Sequence, residues 1–362
     1  MQITLEIEQL QQALALSVAR RSTMAILEHA LLEVASGGSV LITTSDTEKE
    51  VRVQLQGDEA QPGAATLDAA RLKSAIHGLS GRATLRMEAT AGDKVHGRVL
   101  LTQGRRRLLF DSHNPEEYPR LRDEQRRVVA IDPAWLAQAF DRLSYAARKD
   151  DVNPAYNGVW LCSEFAAAVD GHRMAYLPGS GEVPPMMVPA ASVGVLRKAL
   201  EHESVEIAVY GGGKPSALEI SAGGTTVITR LLVVTFPDIS RVLRNFDETL
   251  SLGTVDAAEA RQVLGRAQVL GAGLGKLIKV NMAFSRTGDA SVRTDNGALD
   301  DLLSVHGGEV DAEVHISAAY LGEALQVLGG EVQWQQASAG NAATLLQQAG
   351  RDDLHVIQNM TR

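Results

Sequence analysis

The sequence has a single cysteine and few aromatic residues. Cys162 alone excludes an intrachain disulfide and any zinc site built from several cysteines. It follows the apolar run 159–161, where a small buried hydrophobic residue is a better interpretation than a nucleophile. Because aromatics make up only 4% of the chain, leucine, valine, isoleucine and alanine must fill most of the core.

Long apolar runs and targeting signals are also missing. No uninterrupted apolar segment approaches the roughly 18 residues that a membrane helix requires. The first ten residues, MQITLEIEQL, have neither the basic region nor the apolar region of a signal peptide. Together with the single cysteine, these absences favour a cytoplasmic protein without a membrane partner.

Positive charge is in deficit, since the formal net charge at pH 7 is −9. This argues against a protein whose whole surface is coated with nucleic acid, but it allows a local basic lining. Basic residues gather on predicted helices or at their ends, whereas acidic residues crowd segments 46–50 and 295–301. The distribution of charge therefore matters more than its sum.

Catalytic and metal-binding motifs are absent from the sequence. Residues 211–214 (GGGK) are glycine-rich, but Pro215 stands where a phosphate-binding loop needs serine or threonine, so a hairpin turn is expected. The nine histidines have no zinc-hydrolase spacing. Asp170 and His172 could be half of a hydrolytic triad, yet no Gly-x-Ser-x-Gly elbow accompanies them. We expect no metal and no cofactor, and a binding role more than catalysis.

The feature most prominent in the chain is a threefold repeat. Ile7, Ile131 and Val255 lie 124 residues apart, and each ends a short apolar run that precedes a helix-like pattern. A second helix is predicted in each copy, at residues 68–79, 190–202 and 317–328. Glycine-bearing turns separate several predicted strands in every copy. The sequence thus predicts an α+β protein with three similar domains, at residues 1–126, 127–249 and 250–362.

Several short segments carry a family resemblance. Asn157–Gly158, residues 170–175 (DGHRMA) and residues 236–243 (FPDISRVL) occur in that order in the second copy. The first copy adds residues 21–27 (RSTMAIL), 44–50 (TSDTEKE) and 117–119 (EYP). This ordered set resembles the bacterial sliding clamps, the β subunits of DNA polymerase III, over nearly the whole chain.

The resemblance implies a homodimeric ring with helices inside and antiparallel sheets outside. Such a ring encircles double-stranded DNA without reading its sequence, and it increases the processivity of a DNA polymerase during replication. Basic helix residues would then attract the phosphates across the central hole. The candidates are Arg21, Arg71, Lys73, Arg148, Lys149, Arg197, Lys198, Arg261 and Arg266.

Ring closure in this family joins the first domain of one subunit to the third domain of its partner. Residues 104–110 (GRRRLLF) resemble the basic edge strand of the first domain, and the matching surface would be apolar and acidic. The predicted dimer residues are Arg105, Arg107, Leu108, Phe110, Val269, Leu270, Asp295, Asp300 and Asp301. A basic solvated hairpin is the alternative interpretation of the first segment.

The resemblance also implies a pocket for short linear peptides of polymerases and clamp-loader subunits. The matching residues are Asn153, Tyr156, Val169, Gly171, His172, Arg173, Met174, Pro237, Arg241, Val242, Tyr320, Val356 and Met360. The chain departs from the family pattern here, because Gln358 and Asn359 replace the usual methionine and proline. Val169 likewise replaces a threonine, and Asn153 an arginine.

Two other functions remain open from the sequence. A protein-binding scaffold could retain the clamp fold and the pocket without encircling DNA, and the mass in solution would separate this from a ring. A hydrolase that uses Asp170 and His172 is the second alternative. The sequence favours neither alternative over the ring described above, a non-catalytic processivity factor.

Overall fold

The computed structural model combines helices with antiparallel sheets and describes residues 1–88, 97–121, 125–148, 150, 153–271, 277–337 and 343–361. The α+β expectation is confirmed. The helices of the described residues are α1 (Ile7–Ala15), α2 (Ala69–Ile76), α3 (Pro133–Leu143), α4 (Ala190–Ala199), α5 (Ser240–Arg244), α6 (Ala257–Leu270) and α7 (Ala318–Leu328).

The strands follow in chain order. The first ten are β1 (Gln2–Glu6), β2 (His29–Val34), β3 (Ser39–Ser45), β4 (Lys49–Gln56), β5 (Asp58–Gln61), β6 (Gly63–Asp68), β7 (Arg82–Glu88), β8 (Gly97–Gln103), β9 (Arg106–Ser112) and β10 (Arg127–Val128). The next seven are β11 (Gly158–Leu161), β12 (Phe165–Val169), β13 (Arg173–Pro178), β14 (Met186–Pro189), β15 (Val205–Tyr210), β16 (Ala217–Ala222) and β17 (Thr225–Arg230). The last eight are β18 (Thr249–Asp256), β19 (Lys279–Ser285), β20 (Gly288–Thr294), β21 (Asp300–Leu303), β22 (Ala312–Ser317), β23 (Glu331–Ala337), β24 (Ala343–Gln348) and β25 (Leu354–Gln358).

The chain divides into two compact units. The first contains Met1–Pro133 and Gly194–Leu231, and the second contains Ala134–Val193 and Leu232–Arg362. The middle repeat contributes to both units because its strands extend two different sheets. The division into three domains at the residue boundaries given above stays a prediction.

The first unit holds two antiparallel sheets. One has five strands in the order β5-β1-β7-β8-β9, and the other has eight in the order β10-β15-β16-β17-β4-β3-β2-β6. The β17–β4 pair joins strands that are far apart in the sequence, with Val227 opposite Val51. Strand β9 is at the edge of the five-stranded sheet.

The second unit is built in the same way. Its eight-stranded sheet has the order β14-β11-β12-β13-β25-β24-β23-β18, and its four-stranded sheet has the order β21-β20-β19-β22. The β13–β25 pair joins the middle of the chain to its C-terminal strand. Helices α6 and α7 pack into one apolar core with both sheets, in which Leu321, Leu325 and Trp334 are fully buried.

Side chains cap the first turns of three of the repeated helices, α2, α6 and α7. The carboxylate of Asp68 accepts a hydrogen bond from the Arg71 amide at 2.9 Å, and Asp256 accepts one from the Glu259 amide at 2.8 Å. The Ser317 hydroxyl accepts a hydrogen bond from the Tyr320 amide at 3.4 Å. Each side chain satisfies a backbone donor that has no partner within its helix. In the described residues, none of the helices is both long and apolar enough to cross a membrane.

Candidate functional site

A cavity of about 360 Å³ in the second unit brings together segments that are distant in the sequence. It lies where β12, β13 and β25 meet the segment that leads into α5. Its lining residues are Tyr156, Val169, Gly171, His172, Arg173, Met174, Pro237, Asp238, Ile239, Val242, Asn245, Ala343, Val356 and Gln358.

The floor of this cavity is apolar because of strand register. Val169 pairs with Met174, Met174 pairs with Val356, and Val356 pairs with Leu345 across four adjacent strands. Register partners lie side by side on one face of a sheet. All four side chains belong to one buried cluster together with Ile239. A row of this kind suits a leucine or aromatic side chain of a ligand.

One wall of the cavity is a tight turn between β12 and β13. The Asp170 carboxylate accepts hydrogen bonds from the amides of His172 at 2.9 Å and Arg173 at 3.0 Å. Gly171 between them has φ of +93°, a conformation that favours glycine. The His172 carbonyl also accepts the Gln358 amide at 2.8 Å. The turn is therefore held from within and by the C-terminal strand.

The Arg173 guanidinium is bound on three sides. It donates to the Asp170 carboxylate at 2.9 Å, to the Glu323 carboxylate at 2.5 Å and to the Tyr145 carbonyl at 2.8 Å. The rings of Tyr145 and Tyr320 lie within 5.1 and 4.6 Å of it, a favourable cation–π geometry. Arg173 thus fixes the strand end from which Met174 enters the floor.

The opposite wall is formed by the start of α5. The Asp238 carboxylate accepts the Ser240 amide at 2.9 Å, and hydrogen bonding to Ser240 lowers the pKa of Asp238. Ile239 is buried behind this turn, and Val242 is half-buried on the helix. Asp238, Ile239 and Asn245 were not predicted as pocket residues, although the first two lie inside the motif FPDISRVL.

Most of the predicted pocket residues line the cavity, and four do not. Asn153 accepts the Ala155 amide at 3.1 Å and caps a short turn beside Tyr156. Arg241 is exposed on α5. Tyr320 lies on α7 with its ring stacked on His172 at 6.0 Å. The amide of Met360 donates to the His315 carbonyl at 2.7 Å, so the chain end lies along β22.

A second recess of about 280 Å³ shares His172 and Arg173 with the cavity. It is more polar, because Arg148, Asp150 and Glu323 line it together with Tyr320. Tyr320 therefore belongs to the neighbouring recess. The two recesses form adjoining apolar and polar sites on the two sides of the 170–173 turn.

Comparison with known proteins shows which proteins this chain resembles. Residues 1–122 match the profile of the DNA polymerase III beta subunit, N-terminal domain. The beta sliding clamp of Pseudomonas putida is 25% identical over 354 residues, 94% of each chain. Crystal structures of the Pseudomonas aeruginosa β subunit and the Caulobacter crescentus β clamp have TM-scores of 0.84 and 0.86. Each of the two is 22% identical in sequence to this chain, and each alignment covers 100% of it. The alignments cover 100% of the Pseudomonas protein and 99% of the Caulobacter protein.

The chain is similar to the DNA polymerase III β subunits: the family profile matches its first 122 residues, and β sliding clamps align with it over nearly the whole length. The resemblance and the clamp-type fold predicted from the sequence are thereby confirmed. A β sliding clamp is a non-catalytic processivity factor, which removes the hydrolase alternative. The Asp170 carboxylate has a structural task instead, since it holds two backbone amides and Arg173.

The cations that clamp architecture would direct toward DNA differ in their surroundings. Arg71, Lys73, Lys198 and Arg261 are exposed on α2, α4 and α6. Arg21 lies in the segment after α1 and not on a helix, because α1 ends at Ala15. Lys149 lies outside the described residues.

Arg71 also lies 3.3 Å from the Asp68 carboxylate, and three further cations of this set have anionic partners. Arg266 donates to the Asp301 carboxylate at 2.6 Å. Arg148 lies 2.5 Å from Asp150, and Arg197 lies 3.7 Å from Glu201. These pairs reduce the charge that each arginine offers to a phosphate.

The residues predicted for the dimer interface lie on or beside two edge strands, β9 and β21, and at the C-terminal end of α6. On β9, Arg107 is exposed and Leu108 is half-buried, whereas Phe110 is buried in its own sheet. Leu109 is 51% exposed and is the apolar residue that this strand offers to a partner. Arg105 is exposed in the turn before β9.

The second surface, formed by the end of α6 and the edge strand β21, combines apolar and acidic residues. Val269, Leu270 and Leu302 have exposures of 74%, 46% and 61%. Leu109 and Leu302 were not predicted, although strand alternation in RRLLF and DDLL would have placed one leucine of each pair outward.

The acidic residues at this edge have partners within the chain. Asp295 lies 3.0 Å from Lys279, Asp300 lies 3.1 Å from Arg293, and Asp301 binds Arg266. Hydrogen bonds from Lys279 and Arg266 lower the pKa values of Asp295 and Asp301.

Proposed function

We propose that this protein is a DNA sliding clamp. Two copies close into a ring around duplex DNA and tether a replicative polymerase and clamp-loader subunits through short peptides bound in the cavity. It works in the cytoplasm, where replication takes place. No metal or nucleotide has a role in the proposed mechanism, and the energy for loading comes from an ATPase partner.

The apolar cavity of the second unit is the observation that carries this proposal. Its floor, Val169, Met174 and Val356, is rigid because it lies across paired strands. Polar side chains at the rim, including those of Asn245 and Gln358, can orient a peptide above the floor. This combination supports recognition of an extended segment with one or two apolar anchors.

Ring closure is supported by the two edge strands. An edge strand with unpaired backbone groups accepts another strand readily, and both β9 and β21 also carry an exposed leucine. Pairing β9 of one copy with β21 of its partner would bury Leu109 and Leu302 and satisfy both edges. Repeating this contact twice gives a closed dimer.

A topological link explains how an acidic protein holds a polyanion. The exposed cations on α2, α4 and α6 supply a modest, sequence-independent attraction. Because the ring cannot leave a closed circle, little direct affinity is needed.

The test has two parts. Sedimentation at micromolar concentration should give a dimer, and a monomer would favour the scaffold alternative. Rings loaded by a clamp-loader ATPase should then stay on a nicked circular plasmid in high salt and slide off the same plasmid after linearisation. Equal retention on both forms would contradict a topological link.

A further inference from the structure

The strand that supplies Val356 to the cavity floor carries a buried ionic network on its other face. His355 and Asp353 are both completely buried. The Tyr145 hydroxyl lies 2.7 Å from His355 Nδ1, and His355 Nε2 lies 2.7 Å from the Asp353 carboxylate. We call these three residues, Tyr145, His355 and Asp353, the relay.

The hydrogen-bond partners determine the protonation of the relay. Asp353 also accepts from Arg142 at 2.9 Å and from Arg351 at 2.8 Å, so it is an ionised acceptor. His355 Nε2 must therefore donate, and Nδ1 of the neutral ring accepts from the Tyr145 hydroxyl. Every polar atom of the neutral imidazole is satisfied.

A second proton on His355 would disturb this arrangement. It would turn the Tyr145 hydroxyl from donor into acceptor and add a positive charge near Arg142 and Arg351. Burial lowers the pKa of His355, and the two arginines lower it further, whereas Asp353 opposes the shift. The neutral form is thus the one that the fold selects near pH 7.

The relay is connected to the cavity through Arg173. Tyr145 accepts from the Arg173 guanidinium with its carbonyl oxygen and places its ring 5.1 Å from the same group. Arg173 in turn binds the carboxylate of Asp170, which holds the turn that forms the cavity wall. A displacement of Tyr145 therefore reaches the wall through two consecutive contacts.

We propose that the Asp353–His355–Tyr145 relay positions Arg173 and thereby sets the affinity of the cavity for its peptide. The proposal rests on the peptide-binding function above. Buried ionic networks contribute little net stability compared with apolar packing, and conformational specificity is one reason to retain them. In this protein the buried network would specify the orientation of Arg173 beside the cavity floor.

The relay makes peptide binding sensitive to pH. The charged and titratable groups around His355 are Asp353, Arg351, Arg142 and Tyr145, and those around Arg173 are Asp170 and Glu323. As pH falls below the usual range of histidine, His355 gains its proton, Tyr145 is displaced and peptide affinity drops. Above that range, affinity is constant.

The experiment measures the Kd of a short fluorescein-labelled peptide with one leucine and one phenylalanine anchor, from about pH 8 to about pH 5.5. Tyr145→Phe removes the hydroxyl but keeps the ring beside Arg173. It should weaken binding about three- to tenfold at pH 8 and flatten the pH profile. His355→Gln can still donate to Asp353 and accept from Tyr145, so its affinity should remain near wild type and independent of pH.

Tyr118→Phe is the matched control. The Tyr118 hydroxyl is also buried and bonded, to the His29 carbonyl and the Ser45 amide at 3.0 Å each, but it lies in the first unit. This variant should bind the peptide like wild type with the same pH profile. The profiles are repeated in a His172→Gln background, because His172 lines the cavity itself.

Wild-type affinity and an unchanged pH profile in Tyr145→Phe would overturn the relay while leaving the clamp proposal intact. Equal weakening by Tyr145→Phe and Tyr118→Phe would also overturn it, since the effect would then be general loss of stability. If wild-type protein binds no peptide at any pH, the proposed peptide site fails, and the relay proposal fails with it.

Discussion

Met174 and Val356 are register partners on β13 and β25, and their side chains form the centre of the cavity floor. One residue comes from the middle of the chain and the other from its C-terminal strand. Their neighbours on the opposite face, Arg173 and His355, belong to the polar network. A single strand pair therefore carries both the apolar floor and the groups that position it.

Truncation of the cavity wall should weaken peptide binding. Val242→Ala removes apolar contact area from α5 without opening the buried core, because Val242 is only half-buried. We expect a loss of about 1–2 kcal/mol, or roughly 5- to 30-fold in Kd. Fluorescence anisotropy with the labelled peptide measures this.

Met360→Ala serves as the comparison for Val242→Ala. Met360 was predicted in the pocket, but it is absent from the lining of the cavity. Its substitution should therefore have a smaller effect than Val242→Ala. A larger effect of Met360→Ala, with the dimer intact, would place the chain end in the bound complex.

Dimer closure should depend more on apolar contacts than on ion pairs. Leu302→Asp puts a charge into the proposed contact with Leu109, and we expect the dissociation constant of the dimer to rise at least tenfold. Reversal of both Arg105 and Arg107 to glutamate should weaken the dimer less, because Asp295, Asp300 and Asp301 already have cationic partners.

Analytical ultracentrifugation checks these dimer variants. Val233→Asp is the control, since Val233 is 94% exposed and lies outside both edge strands. A normal dimer in Leu302→Asp would refute the apolar contact. If reversal of the two arginines weakened the dimer more than Leu302→Asp does, ion pairs would be the main contacts of the interface.

Binding to linear duplex should be weak, dependent on salt and independent of sequence. Replacement of Arg71, Lys73, Lys198 and Arg261 by alanine should lower binding and reduce the slope of log K against log salt. The matched control removes four exposed arginines from strands and a turn, Arg82, Arg86, Arg98 and Arg286. Both variants have the same net charge, so equal losses would contradict a local DNA surface.

Stability should fall in acid because of the Asp353–His355 pair. Burial alone would raise the pKa of Asp353, but hydrogen bonds from His355 and Arg351 outweigh it and hold the pKa well below the usual range. The pKa of His355 is lowered as well. In both cases the unfolded chain binds protons that the folded chain does not, so stability decreases as pH falls.

The two groups act in different pH windows. The contribution of His355 to the free energy of unfolding is lost as pH falls below about 6.5. The contribution of Asp353 is lost below about pH 4. Urea unfolding at several pH values measures this, with Asp353→Asn as the variant. Asp353→Asn should be destabilised most at neutral pH and approach wild type in acid. A constant difference across pH would exclude the ionised carboxylate as the cause.

Local pattern was enough to predict much of this protein. The repeat anticipated the recurring helices, including α3, α4 and α7, because amphipathic periodicity and capping residues act over a few neighbours. The turn within DGHRMA depends on near neighbours in the same way, since Asp170 bonds the amides of His172 and Arg173. The resemblance then led to the family and to most of the cavity lining.

Long-range contacts decided the rest. Only the tertiary structure could place Met360 outside the cavity, pair Asp301 with Arg266 and bury Phe110 in its own sheet. The relay shows this best, because Tyr145 and His355 are 210 residues apart. The sequence by itself determined which segments form helices, strands and turns. The pairing of β13 with β25 decided which side chains meet, because strand register depends on the packing of the whole unit and not on any local pattern.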